Sequence, residues 1–284
     1  DAERSSGHLS AAAPGNTGDG LRMAEAVGAA LAHPGADLCD AAALAPVSRV
    51  PRAGRGAHGG HTHWPHLFER AKPGLIAVLA DGQRFVNEAD AYHDFVRALL
   101  EQTAQRLGPA APPQAWLVAD HRFVRQWGLG AARPAPFGLR TWLANGYLRR
   151  GRDWGELAQA CGIDPVGLAR TVQRYNGLCA AGVDVDFQKG QTPYNRIQGD
   201  LASVSATQPN ACMAPLVQAP FYAVRVLPDS LGTFAGIRVD THATALAGAR
   251  SPSVARGVGV GPPPPPLQLS VLELFVILSP LPSP

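Results

Sequence analysis

The densest run of polar side chains in the sequence extends from Gly82 to Asp94. These residues follow a short apolar strand directly, at its predicted junction with a helix, and such junctions often present side chains to a pocket. Tyr92 and His93 are the candidate catalytic residues of this run, because phenol and imidazole groups can act as general acids or bases. The alternative is an ordinary helix start in which Asp90 caps the helix and Tyr92 packs. Without further information this alternative is favoured.

A second candidate site is the glycine-rich turn Asn16-Thr17-Gly18-Asp19-Gly20, which opens a predicted helix. Glycine lets a backbone approach a ligand closely, and an aspartate can accept hydrogen bonds from ligand hydroxyls or amides. Taken alone, the turn is better explained as a capped helix start. It is not the dinucleotide-binding fingerprint, since no GxGxxG follows a predicted strand near the N-terminus.

Four histidines lie close together at positions 58, 61, 63 and 66. Imidazoles at this density could bind zinc or copper. However, no acid or cysteine stands at a known zinc spacing, and the four cysteines of the chain form no CxxC motif. We therefore predict no metal site and expect a solvated or active-site-facing loop.

Composition excludes several classes of function. The chain has 284 residues, 46% of them hydrophobic, which is enough for one large domain or two small ones. Its net charge of +3 gives no electrostatic case for binding nucleic acid or an anionic membrane. No apolar stretch is long enough to predict a membrane span, and the first residues lack a signal-peptide layout. We expect a cytoplasmic location and no requirement for disulfides.

Hydrophobic periodicity predicts the elements that must position the candidate residues. The predicted helices cover residues 19–32, 91–107, 137–149, 153–161 and 164–181. The predicted strands cover residues 75–79, 84–86, 115–119, 221–226 and 236–239. Asp81-Gly82 is a favoured tight turn that would join the first two strands as a hairpin. Residues 34–73 and most of 183–218 are predicted to be irregular.

The last part of the chain differs in character. Residues 249–284 contain five consecutive prolines, Pro262 to Pro266, followed by an apolar run without periodicity. A proline row lacks amide donors and favours an extended conformation. We expect this segment to be either a disordered linker or the translation of a wrong reading frame, and composition favours the second.

Three separated stretches, taken together, resemble a known family. They are residues 16–24, residues 82–94, and residues 220–226 with 231–236. Their order and spacing are similar to those of the FAD-binding-2 superfamily, which includes fumarate reductases, succinate dehydrogenases and 3-ketosteroid dehydrogenases. Residues 157–200 also resemble the cap region of the ketosteroid dehydrogenase branch.

The resemblance implies a two-part plan of the α+β class, in which a substrate-capping domain is inserted into an α/β FAD-binding domain. Residues 1–35 and 219–248 would then be partial elements of the FAD-binding domain, residues 36–218 the substrate-capping domain, and residues 249–284 the tail. The family's N-terminal GxGxxG unit and its C-terminal flavin-closing stretch are not recognised. We therefore expect a chain truncated at both ends that binds FAD weakly or not at all.

The resemblance also indicates a substrate class. Fumarate reductases carry an arginine proton donor shortly after an Asn-Glu pair and a histidine pair before a Thr-x-Gly-Gly segment. Here these positions fall at about Tyr92 and at Leu231-Gly232. Because a small dicarboxylate needs cations to pair its charges, fumarate and succinate are disfavoured. A tyrosine near the first position resembles the ketosteroid dehydrogenases, in which it removes a proton next to a carbonyl while the flavin accepts a hydride.

The resemblance therefore implies an FAD-dependent oxidoreductase that dehydrogenates a C–C bond next to the carbonyl of an apolar, 3-ketosteroid-like ketone. Tyr92 would be the base, aided by His93 or Glu88, because a free tyrosine has a pKa of about 10. The segment Thr17, Gly18 and Asp19, together with Thr233, would contact FAD. The alternatives are a fumarate reductase-like flavoenzyme with another substrate and a non-catalytic remnant that binds no flavin. The oligomeric state is not predicted.

Overall fold

The computed structural model describes residues 9–10, 15–32, 42–51, 61–234 and 236–248. The chain divides into two compact units, one from residues 1–11 and 44–230 and the other from residues 12–43 and 231–284. Two regions named above, His58 and the tail over residues 249–284, lie outside the described residues.

Helices and strands are interspersed along the described chain. The helices are α1 (Asp19–Ala26), α2 (Tyr92–Leu107), α3 (His121–Trp127), α4 (Arg140–Ala144), α5 (Trp154–Cys161), α6 (Pro165–Ala181) and α7 (Pro193–Gln198), with 3-10 turns at Glu69–Ala71 and Leu201–Ser203. The strands are β1 (Leu9–Ser10), β2 (Leu31–Ala32), β3 (Ala42–Pro51), β4 (His61–Pro65), β5 (Leu75–Val78), β6 (Ala115–Ala119), β7 (Leu148–Gly151), β8 (Phe221–Thr233) and β9 (Gly236–Ile237).

The first unit is built on a mainly antiparallel sheet with the strand order β4-β3-β8-β6-β5. The long strand β8 is its hub, since β1 and β7 also pair with it. Alternate residues of β5, β6 and β8 point to one face, as the strand period of two requires. They pack there against α5 and α6, whose buried residues Leu168, Val172 and Tyr175 recur at helical spacing. This α+β architecture is the predicted fold class.

Side-chain caps fix where several of these helices begin. Asp164 accepts hydrogen bonds from the Val166 and Gly167 amides at the start of α6, and Asp153 does the same for Glu156 in α5. Asp120 caps α3 and also accepts from the Gln218 amide at 3.2 Å, which ties α3 to the segment preceding β8.

Several predicted elements are confirmed and others are wrong. The strand over residues 115–119 has the predicted bounds, and α2, α5 and α6 begin within one residue of theirs. Residues 34–73 are not all irregular, because β3 and β4 form an antiparallel pair in which Val47 lies opposite Pro65. Residues 137–149 form the short helix α4 and then the start of β7. The predicted strand at residues 84–86 is reduced to a single bridge between Val78 and Arg84.

The second unit contains α1 and the two-stranded antiparallel sheet of β2 and β9. Helix α1 is shorter than the predicted helix over residues 19–32 because Gly28, with a φ of 88°, turns the chain. Ala24, Ala29 and Ala245 form a small apolar cluster with Ile237 packed against it. This cluster holds the helix beside the sheet.

Candidate active site

Tyr92 is the first residue of α2, and its side chain is partly buried. No side chain caps the helix at Ala91, so the alternative in which Asp90 caps the start of α2 is wrong. The Tyr92 hydroxyl makes no hydrogen bond to any residue within the described part of the chain. A partly buried phenol without an internal partner is available to a ligand.

His93 is held by the sheet. The backbone N–H of Leu44 on β3 donates a hydrogen bond to Nδ1 of His93 at 3.3 Å. Since Nδ1 accepts, the neutral ring must carry its proton on Nε2.

A buried arginine fixes the turn that leads into α2. The Arg70 side chain donates to the carbonyl oxygens of His66 and Glu88 at 2.6 Å each and to that of Asp90 at 3.1 Å. Its guanidinium also lies 4.9 Å from the ring centre of Phe95 in α2. Burial lowers the pKa of Arg70 to about 10, so the group stays charged near neutral pH. Arg70 therefore immobilises the backbone immediately before Tyr92.

Asp90 is a functional candidate that the sequence did not single out. Its carboxylate accepts a hydrogen bond from Nδ2 of Asn195 at 2.9 Å, a residue 105 positions away. Burial raises the pKa of Asp90, and the negative charge of Asp94 adds to this effect, while the bond from Asn195 opposes it. A carboxyl group with a raised pKa two residues before Tyr92 is typical of a functional site. Its sequence signal is only the short spacing of Asp90, Tyr92 and Asp94.

Glu88, the other residue predicted to assist Tyr92, instead binds two buried cationic side chains. Its two carboxylate oxygens accept hydrogen bonds from Nε and Nη2 of Arg84 at 2.8 Å, and Nζ of Lys189 lies 3.3 Å away. Arg84 also binds Asp184 at 2.8 Å. All four side chains are buried. Burial acts to raise the pKa of Glu88, but the charges of Arg84 and Lys189 outweigh it and lower this pKa to about 2. Glu88 stabilises the fold and is not a proton relay.

A buried hydrogen-bonded chain links side chains that are far apart in the sequence. The Ala131 N–H donates to the Tyr147 hydroxyl at 2.9 Å, and this hydroxyl lies 2.8 Å from Oγ of Ser48. Nε2 of His66 lies 2.8 Å from the same Oγ, and Nδ1 of His66 lies 2.7 Å from Oε1 of Glu69. Either hydroxyl of the Tyr147–Ser48 pair can be the donor, and the roles of the two His66 nitrogens depend on its tautomer. We call these four side chains the Tyr147–Glu69 chain.

The described members of the histidine cluster thus have different partners. His66 belongs to the Tyr147–Glu69 chain, whereas Nδ1 of His63 lies 3.3 Å from Oδ2 of the buried Asp229. The side chain of His61, like all of His58, lies outside the described residues. Among the residues that can be described, no three side chains of metal-ligand type converge.

The residues predicted to contact FAD belong to the second unit. Thr17 and Arg22 both donate hydrogen bonds to the exposed Asp19 carboxylate, and these bonds lower its pKa, that from Arg22 most. Gly18 precedes α1 with a φ of 80°, and no heavy atom lies within 4 Å of where a Cβ would stand. No side chain caps α1, so the prediction of a capped helix start is wrong. Thr233 is the exposed last residue of β8.

These features fit part of a flavin nucleotide. The open space at Gly18 admits a ligand close to the backbone, and the uncapped first-turn amides of α1 are free to face it. A carboxylate can accept about four hydrogen bonds, so Asp19 keeps capacity for ligand hydroxyls. The run Gly54–Gly59 has the spacing GxGxxG, but it joins two antiparallel strands and lies outside the described residues. It therefore lacks the strand-to-helix setting of a pyrophosphate site.

A family model for an FAD binding domain matches residues 2–253. The chain belongs to this FAD binding domain family. The resemblance inferred from residues 16–24, 82–94 and 220–236 is confirmed, and FAD is the cofactor of the family. In the FAD binding domain of this chain, the structure describes no helix with the length and apolar character needed to cross a membrane.

Relatives of this chain include proteins named as dehydrogenases of cyclic ketones and proteins named as fumarate reductases. The chain is 39% identical over 178 residues to 4-oxocyclohex-2-ene-1-carboxylate 5-dehydrogenase of Sinomonas cyclohexanicum, a match over 63% of this chain and 29% of that protein. It is 34% identical over 235 residues to 3-oxosteroid 1-dehydrogenase of Mycobacterium tuberculosis, covering 82% of this chain and 38% of that protein. The chain thus spans less than two fifths of the length of these relatives.

A solved structure agrees with the sequence relatives. The 3-ketosteroid delta1-dehydrogenase of Sterolibacterium denitrificans, determined with 1,4-androstadiene-3,17-dione, superposes with a TM-score of 0.67 at 32% identity. The superposition covers 84% of this chain and 40% of the other. Ketosteroid dehydrogenases, the predicted branch, therefore occur both among the sequence relatives and among the similar solved structures.

Proposed function

We propose that the protein is an FAD-dependent dehydrogenase that removes hydrogen from a C–C bond next to the carbonyl group of a cyclic, apolar ketone of the 3-ketosteroid type. The observation that carries the proposal is the Tyr92 hydroxyl, which has no partner among the described residues although its surroundings are held rigidly. Family membership and the names of the relatives support the same reaction class. The cytoplasmic location expected from the sequence stays a prediction.

In this proposal Tyr92 removes the proton from the carbon next to the carbonyl. FAD, when bound, accepts the hydride from the neighbouring carbon, so that a C=C bond forms and the charges balance. Arg70 positions Tyr92 through the backbone of the preceding turn, and the Leu44 N–H positions His93 through its Nδ1. Thr17, Gly18, Asp19 and Thr233 are the residues that would hold FAD.

A second substrate class is a cyclic keto acid, in which a carboxylate is attached to the oxidised ring. The relative with 39% identity, named for 4-oxocyclohex-2-ene-1-carboxylate, supports it. Both classes share the carbonyl next to the C–C bond that is oxidised. They differ in charge and size, so substrate preference distinguishes them while Tyr92 keeps the same role.

The test is the rate of flavin reduction after rapid mixing with a 3-ketosteroid or with 4-oxocyclohexanecarboxylate, at an FAD concentration that saturates the protein. Tyr92→Phe keeps the ring but removes the hydroxyl, so reduction should slow by about 10²–10⁴-fold, the usual contribution of a general base. The melting temperature should change little, since phenylalanine preserves the apolar packing.

Tyr175→Phe is the matched control, because it makes the same chemical change in the apolar cluster beneath the sheet. It should leave the rate of flavin reduction unchanged. If Tyr92→Phe reduces its flavin at a rate near that of the unmodified protein, Tyr92 is not the base. If neither ketone reduces the flavin, the proposed reaction class is wrong.

A further inference from the structure

A concave surface in the first unit carries a concentration of positive charge. It encloses about 670 Å³ and is lined by His121 and Arg125 of α3, Arg140 and Leu143 of α4, Arg150 of β7 and Tyr222 of β8. This volume lies within the range of small-molecule pockets, roughly 300–1,000 Å³. Neither Tyr92 nor His93 lines it. We call it the arginine pocket.

Regular structure holds most of the arginine pocket in place. Arg150 and Tyr222 lie opposite each other in the ladder between β7 and β8, so their side chains leave the same face of the sheet. Helix α3 is anchored at its start by the Asp120 cap, and the His121 N–H donates to the Gln218 carbonyl at 2.8 Å. The positions of three of the polar groups are therefore set by the fold.

The positive charges of the arginine pocket are only partly balanced by protein carboxylates, since Glu156 interacts electrostatically with Arg150 from outside the lining. No acidic residue lines it. Arg125 donates to the Phe137 carbonyl at 2.7 Å, and across the described ranges neither Arg140 nor Arg150 has a hydrogen bond or an ion pair. By contrast Arg152, two residues further along the chain, is paired with Glu156. Three guanidinium groups around one concavity repel each other, and an anion between them would relieve that repulsion.

Two of these charges and a histidine converge on the Tyr222 hydroxyl. Nδ1 of His121 lies 3.2 Å from this oxygen. Burial raises the pKa of Tyr222, whereas the positive charges of Arg150 and Arg125 act to lower it, which places both guanidinium groups within electrostatic reach of the hydroxyl. The Tyr222 hydroxyl thus lies near cationic groups of the arginine pocket. The Tyr222 ring and Leu143 provide apolar surface beside them.

We propose that the arginine pocket binds an oxyanion, a carboxylate or phosphate group, attached to an apolar body. Guanidinium groups offer planar pairs of donors that match both kinds of oxyanion. The Tyr222 ring and Leu143 would cover the apolar part of the ligand. This binding site does not depend on the proposed dehydrogenase reaction, because it shares no residue with Tyr92 and its neighbours.

Isothermal titration of the 284-residue chain with benzoate, phenyl phosphate and phenol tests the proposal. The three probes carry the same ring and differ in the anion. At least one of the two anions should bind, more weakly as sodium chloride is raised, while phenol should not. Whichever of benzoate and phenyl phosphate binds more tightly identifies the oxyanion as a carboxylate or a phosphate. Inorganic phosphate shows how much of the affinity comes from the ring.

Arg150→Gln should weaken the binding of that anion about tenfold, the effect of losing one charge-assisted hydrogen bond. Arg149→Gln is the matched control, because it removes the same charge from the preceding residue of β7, whose side chain leaves the opposite face. It should change the affinity by less than about twofold. Arg140→Gln, on another element, should repeat the effect of Arg150→Gln.

Both Arg149 and Arg150 are exposed, so the variants should melt at the temperature of the unmodified chain. The proposal is overturned if neither anion binds at millimolar concentration. It is also overturned if Arg149→Gln and Arg150→Gln weaken binding equally, since that result would indicate a general attraction to surface charge.

Discussion

At the scale of single residues, the buried charges around Glu88 form a connected network of ion pairs. Arg84 binds both Glu88 and Asp184, and Lys189 donates at 2.7 Å to the Leu75 carbonyl on β5. Residues 84–88 are thereby attached to the segment beyond α6. Because these four side chains are buried, each charge depends on its partners rather than on water.

The first consequence concerns acid stability. Glu88 has a pKa of about 2 in the folded protein against 4.5 in its usual state, so the unfolded chain takes up this proton first as the pH falls. The stabilisation is complete above the unfolded pKa and is lost as the pH falls toward the folded one. We expect the free energy of unfolding, measured with denaturant, to decrease between about pH 5 and pH 2.

Removing the carboxylate isolates this contribution. Glu88→Gln should destabilise the protein by about 3–5 kcal/mol at neutral pH, because it leaves Arg84 and Lys189 buried without a full partner. It should also flatten the acid dependence. The exposed pair of Arg152 and Glu156 supplies the control, and Glu156→Gln should change stability little. A mild effect of Glu88→Gln would mean that the buried charges are compensated elsewhere.

The residues of the candidate site differ in how far the sequence predicts them. Tyr92 and His93 stand out because they follow an apolar strand and match a family pattern. The Tyr147–Glu69 chain has no such signal, since Ser48 and Tyr147 are 99 positions apart and meet only through the arrangement of the strands. The binding of Asp90 by Asn195 depends in the same way on tertiary structure. Side-chain pairs of this kind cannot be inferred from spacing.

At the scale of elements, the turn after β5 packs directly against the start of α6. Gly82 has a φ of 75°, and a Cβ there would lie 2.7 Å from the Asp164 carbonyl and would also meet the Leu168 amide. The Asp164 N–H donates to the Ala80 carbonyl at 2.8 Å, so the two backbones are in contact. Glycine is required at position 82 because φ is positive there and because the α6 backbone lies too close for a Cβ.

Gly82→Ala should therefore destabilise the protein by at least about 3 kcal/mol, the sum of backbone strain and a clash with atoms that cannot move aside. Gly108→Ala is the control, since Gly108 also has a positive φ, 98°, but no heavy atom lies within 4 Å of the place where its Cβ would stand. Gly108→Ala should lower the free energy of unfolding by only about 1 kcal/mol. Thermal or denaturant unfolding of both variants provides the comparison, and equal losses would contradict the role of the close approach.

The elements that the sequence predicts well have a local signal at one end or at both ends. Helix α2 ends at Gly108, and α6 starts at the cap Asp164 and ends before Gly182. Strands β3 and β4 were missed because the histidines, glycines and prolines around them have low strand propensity, and pairing with neighbouring strands overrides that propensity. Helix α3 is too short to show a period.

At the scale of the whole molecule, the chain has two units whose boundaries fall at residues 11/12, 43/44 and 230/231. The predicted domain boundaries at 35/36 and 218/219 stay predictions. Each unit has its own sheet, and the residues assigned to FAD and to catalysis are divided between the two units.

The affinity of the chain for FAD is a property of the whole molecule. The described turn before α1 offers Thr17, Gly18 and Asp19 but lacks the GxGxxG spacing that brings several amides to a pyrophosphate. We expect isothermal titration with FAD to give an affinity no tighter than micromolar. A sub-micromolar value would contradict this prediction and indicate further contacts to the nucleotide.

The hydroxyl protons of the Tyr147–Glu69 chain can also be used to measure how often the surrounding structure opens. Hydroxyl protons in contact with water are replaced too fast to be seen by nuclear magnetic resonance, but those of Ser48 and Tyr147 are enclosed and engaged. They can be replaced by deuterium only when strand β3 and its surroundings separate transiently, so their lifetimes report the free energy of that event. The same four side chains that connect distant parts of the sequence thus allow transient opening of the sheet to be timed without an attached probe.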